Sequence, residues 1–157
     1  MGFSVNTEEY DGTSWATVNN MVTHKRSMGG AGTQTAGFTA GGLPSAQSSV
    51  THEYDGTSWT VGGVLLAVKH YPGTWGSLTA GLVIGNNSYS AASEIYDGTC
   101  WSAGDNSPAG KNLSYGIGNS GGGTAGLHHG GQNASTVQLA TTYKYAEALT
   151  ARTVTDS

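Results

Sequence analysis

Glu53-Tyr54-Asp55-Gly56-Thr57-Ser58-Trp59 decides the reading of this chain. Its Tyr-to-Trp core occurs three times: Tyr10-Asp11-Gly12-Thr13-Ser14-Trp15, Tyr54 to Trp59, and Tyr96-Asp97-Gly98-Thr99-Cys100-Trp101, at spacings of 44 and 42 residues. A second marker, Thr-Ala-Gly, starts at Thr35, Thr79 and Thr124 and keeps step with the first. A Gly pair follows it at Gly41-Gly42 and at Gly130-Gly131, with Gly85-Asn86 in the middle copy. Two markers in phase identify a tandem repeat, and a period of this length belongs to solenoids, propellers or arrays.

Each copy reads as short strands. Asp-Gly between a Tyr and a Trp is a tight-turn signal flanked by strand formers. Val50 to Tyr54 leads into that turn and Trp59 to Val61 leads out. Thr35 to Ala40, Thr79 to Ile84 and Thr124 to His129 read as another strand ended by Gly. A further strand is expected near Arg26 to Ala31, Leu65 to His70 and Asn112 to Ile117. Four strands in about 44 residues are the content of one propeller blade. Helical composition occurs only over Tyr145 to Arg152, where a fourth Tyr…Trp hairpin falls due and its Trp is missing.

The Gly pair, the Tyr and the following Trp resemble the kelch repeat, over nearly the whole chain to about Leu139. The turn is shorter here, with four residues between Tyr and Trp. The wording also resembles kelch-like arrays in predicted bacteriophage structural and appendage proteins. The expected fold is therefore all-β, with kelch-like propeller blades of four-stranded antiparallel sheets and about three blade-equivalents per chain. The expected repeat domain covers residues 1–139, with repeats near 4–48, 49–93 and 94–139. Residues 140–157 form a degenerate partial repeat or tail. The N-terminal half-blade, Val5 to Val18, has no earlier half. It is expected to pair with the C-terminal half, Asn112 to Gly131, of another copy, giving a homo-oligomer.

Composition narrows the function. The chain has 157 residues, 26 of them Gly; 10% are charged and the net charge is −4. Four Trp and eight Tyr argue for an ordered β protein rather than a disordered one. The Lys and Arg residues form no basic stripe, so nucleic acid is not an expected partner. No apolar run is long enough for a membrane helix, and Met1 to Glu9 shows no signal peptide. The lone Cys100 excludes an intrachain disulfide and a Cys-rich zinc site.

The repeated Tyr10, Trp15, Tyr54, Trp59, Tyr96 and Trp101, with Gly41, Gly42, Gly130 and Gly131, read as structural positions. Each blade needs the same apolar contact with the next. Asp11, Asp55 and Asp97 read as caps of their own turns. Non-repeated residues are where a site is sought. His128 and His129 point to opposite faces of a strand and do not share a metal easily. Trp75 stands outside the repeat as an exposed contact or, preferably, a local packing change. Cys100 replaces Ser14 and Ser58 as a drifted turn residue. No catalytic constellation, metal site or cofactor is read, and no ligand-binding residue is assigned. The expected function is a non-enzymatic structural or adhesive module of a larger assembly, as in a phage virion, fibre or extracellular appendage. Other structural proteins or surface glycans are its expected partners. The alternative is a carbohydrate-binding or carbohydrate-active kelch-type propeller.

Overall fold

The computed structural model describes residues 4–43, 48–86, 88–118, 125–145 and 152–154. Every regular element among them is a β-strand. The repeat motif forms the hairpins that the sequence implies. In the central copy, β-branched Val50 and Thr51 start strand β5 (Val50–Tyr54), which returns as β6 (Trp59–Val64). Asp55 turns the chain: its Oδ1 accepts the Thr57 and Ser58 amides at 2.8 and 2.7 Å. Gly56 sits at φ +90°, a conformation that side chains resist. The same hairpin is β1 (Thr7–Tyr10) with β2 (Trp15–Val18), and β9 (Ser93–Tyr96) with β10 (Trp101–Ala103).

The Thr-Ala-Gly marker starts the second strand of each unit. Strand β3 (Gly29–Thr33) pairs with β4 (Ala36–Ala40), β7 (Gly73–Ser77) with β8 (Ala80–Ile84), and β11 (Tyr115–Gly118) with β12 (Gly126–His129). The last strands are β13 (Thr142–Tyr145) and β14 (Arg152–Val154). The strands make three four-stranded antiparallel meanders, β3 to β6, β7 to β10 and β11 to β14, and one two-stranded sheet, β1 and β2. First strands pack side by side, β3 on β7 and β7 on β11.

Three details differ from the sequence expectations. The first strand of the central unit is Gly73–Ser77, not Leu65 to His70. Trp75 therefore lies inside the repeat, in register with Ala31. Helix does not form at Tyr145 or at Arg152–Val154, where cross-strand pairing overrides helical composition. Residues 146–151 of that segment lie outside the described residues. Finally, the half-unit Asn112 to Gly131 is completed within the chain. Tyr145 opposes Gly126 as Tyr54 opposes Gly37 and Tyr96 opposes Gly81, so Tyr145 is the fourth repeat Tyr. The N-terminal hairpin is the sheet left with two strands.

The core lies between sheets. Phe38, Ala40, Leu65, Val83, Tyr96 and Trp101 form one cluster. Trp75, Leu82, Ile84 and Tyr145 form the next.

Candidate functional site

The repeat aromatics act between sheets through one recurring pattern. Trp59 Nε1 donates to Thr7 Oγ1 at 2.8 Å, and Trp101 Nε1 donates to Thr51 Oγ1 at 2.9 Å. Tyr54 donates its hydroxyl to Glu9 Oε1 at 2.5 Å, and Tyr96 donates to Glu53. Thr7 and Thr51 each lie three residues before a repeat Tyr, and Glu9 and Glu53 one before. Each Tyr–Trp pair thus leans on the sheet before its own. Burial and the carboxylate bond push both phenols up to about 12, with burial first at Tyr96 and the bond first at Tyr54.

Among the described residues no sheet precedes the first pair. Tyr10 and Trp15 rings pack against each other, tilted, 5.1 Å apart, yet Trp15 is 69% exposed and Tyr10 48%. The equivalent Tyr96 and Trp101 are 0% and 5% exposed. Behind the hairpin, a groove of about 370 Å³ is lined by Tyr10, Trp15, Phe38, Tyr54 and Trp59, among others. The exposed faces of Tyr10 and Trp15 make this an apolar surface.

A second concavity, about 280 Å³, opens where the three first strands begin. Ser27, Tyr71 and Leu113 line it, and all three hold positive φ, between 52° and 57°. They stand two residues before β3, β7 and β11, so the strain is itself repeated. Tyr115, 69% exposed, also lines this cavity and stacks on His129 at 6.2 Å.

The glycines follow the same logic. Gly41 and Gly42 have φ of +72° and +93°, and Gly130 and Gly131 have +64° and +90°. A Cβ on Gly41 would lie 2.2 Å from Lys69 O of the next unit. The histidines separate: His128 is buried, with Nε2 2.6 Å from Ser114 Oγ, while His129 lies half-buried against Tyr115. Among the described residues no three His, Cys, Asp or Glu side chains cluster in a geometry for a metal. Cys100 is exposed and donates Sγ–H to Asp97 Oδ2 at 3.3 Å, as Ser14 and Ser58 donate to Asp11 and Asp55. That carboxylate raises the thiol pKa, and Cys100 holds the turn position of Ser14 and Ser58.

Trp75 is not an exposed contact. It is 2% exposed, packed edge-on to Tyr145 at 5.8 Å. Sequence reasoning also missed three lysines. Lys25, Lys69 and Lys111 are buried and repeat at 44 and 42 residues. Each reaches the start of its unit's third strand: Nζ donates to Val50 O at 2.7 Å, Ala92 O at 3.3 Å and Thr141 O at 2.8 Å. The neighbouring slot varies. Lys69 pairs with Glu94 at 3.4 Å, and Lys111 Nζ lies 4.3 Å over the Tyr143 ring. The corresponding residue beside Lys25 is His52, one charge against an imidazole. Burial lowers Lys25 and Lys111 to about 8. Their spacing, equal to that of the Tyr–Trp motif, was the available signal.

No protein-family model matches this chain, and no curated protein matches it. Among solved structures, the chain is similar to "Structure of YjhT", with a TM-score of 0.77 at 10% identity. The match covers 96% of this chain and 52% of the other, so the chain spans about half the length of that structure.

Proposed function

We propose that this chain is a non-enzymatic structural or adhesive module of a larger assembly, its sheets serving as kelch-like propeller blades. The carrying observation is the N-terminal hairpin, half a unit that presents Tyr10 and Trp15 to solvent. The pairs Tyr54–Trp59 and Tyr96–Trp101 lean on a neighbouring sheet, and among the described residues no strand pairs with the outer edge of β1. A homo-oligomer is the simplest partner arrangement. The low charge and the resemblance to phage repeat arrays support placement in a virion, fibre or extracellular appendage. Light scattering and electron microscopy of the purified chain test this reading. Rings or filaments are expected; a particle of single-chain mass at every concentration sinks it.

The alternative is glycan binding, favoured by one observation: Tyr71 and Tyr115 present rings beside the cavity at the first-strand ends. Aromatic faces of this kind suit sugar rings. A glycan array combined with a turnover assay separates the readings. Saturable binding abolished by Tyr115→Ala would favour the alternative.

A further inference from the structure

Among the described residues, the sheet-to-sheet contact leaves one half of itself uncovered on the β1–β2 hairpin and the other on the sheet β11 to β14. At the N-terminal end stand Tyr10 and Trp15, uncovered. At the other end stands the surface that would cover such a pair. Phe38 does this work within the chain, its ring 6.0 Å from Tyr96 and 5.8 Å from Trp101. Leu127 has the register of Phe38, each following the Gly that opposes a repeat Tyr, and it is 36% exposed. Thr142 lies three residues before Tyr145, the position from which Thr7 and Thr51 accept a Trp indole. Lys144 occupies the place of Glu9 and Glu53. That change fits Tyr10, whose hydroxyl already donates to Gly12 O at 3.0 Å and retains lone pairs for an ammonium donor.

The last sheet is also shaped for an incomplete neighbour. Gly29 and Gly73 give way to the first strand of the following unit. A Cβ on Gly29 would lie 1.8 Å from Thr74 Oγ1, and one on Gly73 would lie 3.2 Å from the Gly116 amide nitrogen. Tyr115 holds the same register, opposing His129 as Gly29 opposes Ala40 and Gly73 opposes Ile84. It is 69% exposed and carries a side chain at the register where Gly29 and Gly73 carry none. A following first strand would meet that side chain from its Cβ outward; the N-terminal hairpin lacks such a strand. Gly130 agrees, because a Cβ there would meet nothing within 4 Å, whereas Gly85 faces Lys111 O at 3.0 Å.

We infer that the C-terminal sheet of one copy docks on the N-terminal hairpin of a second, head to tail. Leu127 covers Tyr10 and Trp15, Thr142 Oγ1 accepts the Trp15 indole N–H, and Lys144 donates to the Tyr10 hydroxyl. This rests on the assembly reading above and supplies its partner. The contact is heterologous, so it builds a ring if the rotation closes and a filament if not.

The test uses two full-length variants at exposed positions, Trp15→Glu and Leu127→Glu, both checked for β circular dichroism and an unchanged melt. Each alone is expected at single-chain mass in light scattering. Their equimolar mixture is expected to give two-chain particles and nothing larger, since one intact end remains on each partner. Should Leu127→Glu not fold, the pair Leu127→Ala with Lys144→Glu replaces it. Assembly of Leu127→Glu like the parent chain, with Trp15→Glu failing, indicates hairpin-to-hairpin contact and overturns the proposal while the assembly reading stands. Unimpaired assembly by both variants overturns it in the same way. A parent chain that never assembles overturns both.

Discussion

Trp75 and Gly118 are matched in size across the contact between β7 and β11: a Cβ on Gly118 would lie 2.1 Å from Trp75 Cδ1. Gly116 answers the same ring, since a Cβ there would lie 2.3 Å from Trp75 Cε3. A large residue in one first strand is thus accommodated by glycines in the next. Trp75→Ala should destabilise by about 3–5 kcal/mol, as for other buried aromatics. Gly118→Ala should cost about 1–3 kcal/mol by overpacking. In the Trp75→Ala background, the Gly118 substitution should lose most of its effect. Urea unfolding of the four proteins measures the coupling; additive effects would refute the match.

The three repeat tryptophans should differ in stability effect despite their shared Tyr-Asp-Gly-Thr setting in sequence. Trp101→Ala should cost about 3–5 kcal/mol because the ring is buried and bonded to Thr51. Trp59→Ala should cost less, its ring being half-buried. Trp15→Ala in the dissociated chain should stay within about 0.5 kcal/mol, as for other surface changes. Thermal melts at a dilution that yields single chains rank the three. Equal shifts would contradict the gradient.

The buried histidines predict acid sensitivity. Burial, then Lys111 and His129, lowers His128 to about 3. Burial, then Lys25, lowers His52 to about 4. Both imidazoles stay neutral in the fold while the unfolded chain protonates them near pH 6.5. Their contribution is full above that value and is lost as pH falls toward about 4 for His52 and about 3 for His128, with a slope of at most about 1.4 kcal/mol per pH unit for each. Melting temperature should fall over that window, and His128→Asn should flatten the decline. An unchanged pH slope in His128→Asn would exclude His128 as a source.

Tyr96→Phe should destabilise by about 1.5–3 kcal/mol, because the Glu53 carboxylate loses a donor in a half-buried place. Glu53→Gln should cost less, since its amide carbonyl still accepts the phenol. Chemical denaturation of both variants checks the order. The reverse order would assign the stability to charge rather than to this bond.

Local chemistry made part of this architecture legible. Asp-Gly with a following Ser or Cys closes its own turn through backbone amides, so Asp11, Asp55 and Asp97 announce three hairpins wherever they stand. The Thr-Ala-Gly marker and the closing Gly likewise placed β4, β8 and β12, because strand formation there needs only neighbours in the same repeat. Tertiary structure alone decided how equal motifs become unequal. Trp15 and Trp101 have the same sequence setting, yet one faces solvent and the other a core, since burial depends on which sheet stands beside each. The same holds for Trp75, whose Gly118 pocket lies 43 positions away, and for Lys111, buried through a carbonyl 30 residues on. The residues around Tyr145 favour helix by composition, but register with Gly126 makes Tyr145 the end of a strand, because pairing with β12 outweighs a propensity worth tenths of a kcal/mol per residue.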